Sequence, residues 1–115
     1  MDKLIQSIVA LGVPGFVLLV VISIKGLVGA AALTSALAFL GGPFGMIGGL
    51  FSLGLIGLIA RGVAQYGVEN IAKGVVEGLL AKKSKQEVIM EITNFPLISK
   101  GIKRVLLEHV EKYGS

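Results

Sequence analysis

His109 is the only histidine in this 115-residue chain, and it stands beside Glu108. An imidazole is the usual general base near neutral pH, but it needs a nucleophile to activate or an acid to orient it. Here it falls next to the apolar stripe of an amphipathic segment, so it reads as a helix-surface or packing residue without a catalytic role. The chain has no cysteine, which excludes a disulfide scaffold and a thiolate metal site, and one histidine leaves too few ligands for zinc. Gly42, Gly45 and Gly48 recur every three residues, yet the lysine of a phosphate-binding loop does not follow them and no strand precedes them. None of the seven acids lies inside an apolar stretch, where a carboxylate would mark a proton relay. The expectation is a protein without enzymatic activity and without a cofactor.

The elements around these residues are made of two materials. The chain is 54% hydrophobic and 16% charged, against about 25% charged in an average soluble domain. A unit this short buries only about two thirds of its unfolded surface, so a monomer in water would leave much apolar surface uncovered. Disorder is excluded by the same composition. Residues 1–60 carry only Asp2, Lys3 and Lys25, whereas 61–115 carry nine Lys/Arg and six Asp/Glu. This divides the chain into membrane-embedded helices over 1–60 and a basic helical region over 61–115.

Residues 4–24 form a 21-residue uncharged run with fourteen Leu, Ile, Val or Phe, and about 20 such residues in a helix cover a hydrocarbon core of about 30 Å. Those side chains favour insertion by about 4–8 kcal/mol, which predicts an N-terminal transmembrane helix kinked at Pro14. A cleaved signal peptide is the alternative, with Ala30 to Ala32 as small residues beyond the run. Asp2 beside Lys3, the length of the run and Lys25 at its end argue for retention instead.

Residues 26–60 are uncharged throughout and would make a straight helix of about 52 Å, too long for one crossing. Gly41, Gly42 and Pro43 supply a helix stop and a helix start, so the segment reads as a helical hairpin with arms 26–40 and 44–60. The first arm is Ala-rich and short; the second is apolar enough to carry it into lipid. Gly45, Gly48, Gly49, Ser52, Gly54 and Gly57 concentrate small residues in the second arm, and Gly45 with Gly49 has the G-x-x-x-G spacing that lets helices approach closely in lipid. They are candidates for helix packing, either between copies as a homo-oligomer or within the chain against the other arm or residues 4–24.

From Arg61 the pattern turns amphipathic, with Ala64, Val68, Ile71, Ala72, Val75 and Leu79 on one face and Gln65, Glu69, Lys73 and Glu77 on another. Glu69 and Lys73 have the favourable order for an i, i+4 pair, and Gly67, Gly74 and Gly78 weaken the helix. Ser84 and Glu87 have capping-box spacing, which starts a helix at Lys85; Asn94, Phe95 and Pro96 end it. Ile98, Ile102, Val105, Leu106, Val110 and Tyr113 form the stripe of a last helix stopped at Gly114. Residues 84–114 therefore read as a small helical hairpin, which needs a neighbour to dock on and is a candidate surface for a cytoplasmic protein partner. Lys82, Lys83 and Lys85 form a basic knot for lipid headgroups, and Lys100, Lys103 and Arg104 form a second. The positive-inside rule puts this region in the cytoplasm. Three crossings would put the amino terminus outside and two would put both ends inside. Interleaved acids and the lack of an aromatic platform argue against nucleic acid as a partner.

With GGP at 41–43 as its tip, the uncharged segment 26–60 resembles the hydrophobic helical hairpin of pore-forming colicins. The whole plan, two or three apolar segments and a basic tail, is similar to that of phage holins. Both resemblances imply oligomeric permeabilisation of a membrane. The expectation is an all-α protein of the inner or plasma membrane that self-associates and opens or perturbs the bilayer. The alternatives are a passive anchor that holds a cytoplasmic partner through 84–114 and, third, a soluble bacteriocin-like helical bundle that buries its apolar runs.

Overall fold

The computed structural model describes residues 1–25, 54–96 and 98–114. These residues form six helices and no strand: α1 (Asp2–Ala10), α2 (Val13–Lys25), α3 (54–66), α4 (Val68–Lys82), α5 (Lys85–Thr93) and α6 (Lys100–Tyr113). The all-α expectation holds for them. The expected hairpin with its turn at Gly41, Gly42 and Pro43 lies outside the described residues, apart from 54–60.

The apolar run 4–24 is not one helix. α1 closes at Leu11, whose N–H reaches the Ile8 carbonyl at 3.1 Å, and Gly12 follows with φ +73°, a conformation that suits glycine and terminates helices. Pro14 then falls in the first turn of α2, where its missing N–H costs little. The residues expected to kink a spanning helix instead turn a corner between helices of nine and thirteen residues. Among the described residues no helix is long and apolar enough to cross a membrane.

From Val13 to Ile22, α2 carries no polar side chain because protein surrounds it. Val13 and every residue from Phe16 to Ile22 are 0–3% exposed, and α1, α4, α5 and α6 all touch this helix. A helix without a polar face is one buried on every side. Its hydroxyl is satisfied locally, Ser23 Oγ donating to the Val20 carbonyl at 2.8 Å. The other helices turn a single apolar face to it. Ile71, Ala72, Val75, Val76 and Leu79 are buried from α4, Val88 and Ile92 from α5, and Ile102, Leu106 and Val110 from α6. Leu55, Ile56 and Ile59 of α3 join the same core, so the end of the expected second membrane arm is protein-packed and α3 runs on through the 60/61 boundary.

The amphipathic segment from Arg61 also breaks. Gly67 takes φ +81° between α3 and α4, so it is a corner, and Ala64 is exposed on α3 while Ile71, Ala72, Val75 and Leu79 face the core from α4. Gly74 and Gly78 keep a helical place for a packing reason. A Cβ at Gly74 would lie 2.4 Å from Ile5 Cδ1, and one at Gly78 2.7 Å from Val9 Cγ2. The i, i+4 pair of α1 seats on the i, i+4 pair of α4, so the two helices run in the same sense.

α5 and α6 each start at a serine cap, of which the capping-box spacing marks Ser84 and not Ser99. Ser84 Oγ accepts from Glu87 N at 3.2 Å and Ser99 Oγ from Ile102 N at 3.2 Å, each satisfying an otherwise orphaned N–H. Lys103 Nζ donates to the Thr93 carbonyl at 2.8 Å, placing a cation at the negative end of α5.

Candidate functional site

The expected functional groups separate on the structure. Of the headgroup knot, Lys83 Nζ pairs with Glu91 at 2.6 Å and Lys85 Nζ with Glu111 at 3.4 Å. These pairs brace the α4–α5 connection and the α5–α6 hairpin; only Lys82 of the three is exposed with no carboxylate partner among the described residues. In the second knot, Lys103 caps α5 and Arg104 approaches Glu108 at 3.9 Å. Gly45, Gly48, Gly49 and Ser52 lie outside the described residues. Gly54 and Gly57 are described, and a Cβ at either would meet no atom within 4 Å. The close helix contacts use Gly62, Gly74 and Gly78, which accommodate Leu4, Ile5 and Val9. Their signal was available, since Gly74 and Gly78 have small-x-x-x-small spacing.

The polar centre is a seam between α4 and α6 that the local pattern does not show. The Glu69 carboxylate bonds neither Lys73 nor any other side chain one turn away. Its carboxylate accepts from Lys112 Nζ at 3.1 Å and, closely, from the Tyr113 hydroxyl. Lys112 Nζ also sits 5.3 Å from the centre of the Tyr113 ring, within cation–π range. Tyr113 stacks on His109 with centroids 6.0 Å apart, and His109 meets Phe16 of α2 at 6.2 Å. A row of side chains thus runs from the solvated carboxylate of α4, through two rings of α6, to the buried ring of α2.

The electrostatics follow the bonds. The Tyr113 hydroxyl and then the Lys112 ammonium hold the Glu69 carboxyl below its ordinary range. The same contacts raise Lys112 and Tyr113, because each donates a proton that Glu69 accepts. Burial lowers the pKa of His109. Among the described residues no cluster of three or more acidic or histidine side chains could hold a metal. The groove along α6 from Lys100 to Lys112 is open and carries both charge signs. The arrangement joins α4, α6 and α2.

The seam makes a direct prediction. In a Tyr66→Phe background, which leaves Tyr113 as the sole tyrosine, Glu69→Gln should move the Tyr113 phenol down toward its ordinary pKa. The charged acceptor that favours the protonated phenol is then gone. Ultraviolet absorbance of the phenolate during alkaline titration reads the shift; an unchanged midpoint would contradict the seam.

No family model matches the chain, and comparison with curated proteins and with solved structures finds no match.

Proposed function

We propose that the protein acts at a lipid bilayer, where its helical bundle is a mount on one side and the uncharged segment 26–53 is the part that enters lipid, self-associates and perturbs the membrane. The observation that carries this reading is that both flanks of the segment belong to one core. α2 leads into it and α3 leads out of it, and the two helices share a hydrophobic cluster with α4, α5 and α6. A segment whose ends leave the same body must return to the side it started from, so an even number of crossings follows and both chain ends lie together. The basic composition of 61–115 makes that side the cytoplasmic one.

The length of the segment limits how it acts. Its 28 uncharged residues, divided around Gly41, Gly42 and Pro43, leave arms of 15 and 10 residues, which as helices would be about 22 Å and about 15 Å long. A bilayer core of about 30 Å is not crossed by such an arm. With the bundle closed, the segment reaches into one leaflet and strains it by mismatch; a full crossing draws apolar turns out of the bundle. Ile24 and Leu58, on either side of the segment in sequence, are 51% and 47% exposed, apolar surface that suits a body held at a membrane.

Purified full-length protein added to dye-loaded anionic vesicles should float with them and release dye with a steeper than linear dependence on protein-to-lipid ratio. Gly45→Leu with Gly49→Leu should reduce release while leaving flotation intact, because the small-residue contact is lost but the apolar character is not. Failure to float would overturn the bilayer reading. Flotation without release would leave the passive anchor in its place.

A further inference from the structure

His109 is 7% exposed, and among the described residues it is the one buried polar or charged side chain. It belongs to α6 yet faces the enclosed helix, its ring 6.2 Å from that of Phe16, which is 0% exposed. Its other neighbour is Tyr113, stacked at an interplanar angle of 15°, and Tyr113 in turn is tied to Glu69 on α4. Among the described residues no hydrogen bond reaches the imidazole. No buried side-chain nitrogen among the described residues lacks a partner, so the imidazole nitrogens lie at the solvent edge while the ring packs as an aromatic wedge at the point where α6, α4 and α2 meet.

We propose that His109 is an acid-sensitive latch: the neutral ring seats α6 against α2, and its protonation in mild acid unseats α6 and uncovers the apolar surface of α2. The charged groups facing it are few. α2 offers apolar side chains from Val13 to Ile22 and no described charge; α4 offers Glu69; α6 itself offers Glu108 and Lys112. On α5, Lys85 is engaged by Glu111. Burial opposes the imidazolium most strongly, Lys112 adds to that, and Glu69 and Glu108 pull the other way without reversing it.

The direction of the pH dependence follows. A histidine whose pKa is lower in the folded state binds protons more readily when unfolded, so stability rises with pH. Its contribution is complete above the unfolded value of about 6.5 and is lost as pH falls through that value toward the folded one. Glu69, held below the ordinary carboxyl range, stays ionised over that interval, so the seam persists while the wedge changes charge. The latch is a property of the bundle and operates whether or not the segment 26–53 enters lipid.

Because the chain has one histidine, the test is unambiguous. The full-length protein should lose Tm between about pH 7.5 and about pH 5.5 and bind an apolar-surface dye over the same interval. His109→Phe, which keeps an aromatic wedge without a titrating proton, should flatten both responses. A wild-type Tm that does not fall, or a fall that persists in His109→Phe, overturns the latch. Should that variant not fold, the ring C–H resonances of His109 decide the matter in the wild-type protein. A midpoint below the ordinary value supports the latch, and one at or above it overturns it.

Discussion

Phe16→Ala is expected to remove about 3–5 kcal/mol of stability, a large part of the 5–15 kcal/mol that holds a typical domain together. Phe16 is the largest of the fully buried side chains of α2, and α1, α4, α5 and α6 enclose that helix. Truncation would leave a cavity that is hard to close, because two of the flanking helices are already held elsewhere: α1 by Gly74 and Gly78, and α6 by Glu69. Cavities that cannot collapse give the upper range of large-to-small costs. Denaturant unfolding should show a lower midpoint with an unchanged slope. Met90→Ala, at a side chain 62% exposed, should stay within about 0.5 kcal/mol of wild type. A Phe16→Ala cost near that of Met90→Ala would mean that lipid or solvent, not protein, surrounds α2.

That contrast explains why the first apolar run misled a reading by composition. Fourteen large apolar residues in 21 satisfy a hydrocarbon core and a helical core alike, since both reward the same transfer out of water. What distinguishes them is length without interruption, and the interruption was written at Gly12, Pro14 and Gly15. Treated as a kink, this group leaves a span; treated as a stop followed by a start, it leaves two helices too short to cross. Gly67 repeats the case between α3 and α4, where a residue read as a weak helical interior is a corner.

Short-range physics was legible. The Ser84 cap and the Asn94 stop depend on residues within a turn or two of each other and occur as the spacing requires; of the stripe read on the last helix, Ile102, Leu106 and Val110 are buried, Val105 and Tyr113 are half-buried, and Ile98 precedes α6. Long-range choices were not. Glu69 had a well-placed cation at Lys73, but it bonds Lys112, 43 positions away, because docking α6 on α4 also brings the Tyr113 hydroxyl. Likewise, Lys83 and Lys85 are basic in sequence and paired in space, so a count of lysines overstates the charge free to meet a headgroup. His109 lay beside the apolar stripe, which allowed either a surface or a packing place; what seats it is Phe16 of α2, more than ninety residues earlier.

Gly15→Ala should cost about 2–3 kcal/mol even though alanine is the better helix former. A Cβ at Gly15 would lie 2.3 Å from the Ile8 carbonyl oxygen and 3.0 Å from Leu11 Cβ. The first of these atoms is backbone, and that carbonyl already accepts from the Leu11 N–H at 3.1 Å in closing α1. It cannot swing aside like the end of a flexible side chain, so relief requires α1 and α2 to separate at their corner. Separation there lifts Ile8 and Val13, both 0% exposed, out of contact with the core. The helix-propensity gain of up to about 1 kcal/mol offsets only part of this. Gly57→Ala in α3, where a Cβ meets nothing within 4 Å, isolates that gain and should stabilise the bundle by up to about 1 kcal/mol. The two substitutions are chemically identical and should move the denaturation midpoint in opposite directions. If both raise it, α1 and α2 do not meet at a close corner and the apolar run is better described as one helix.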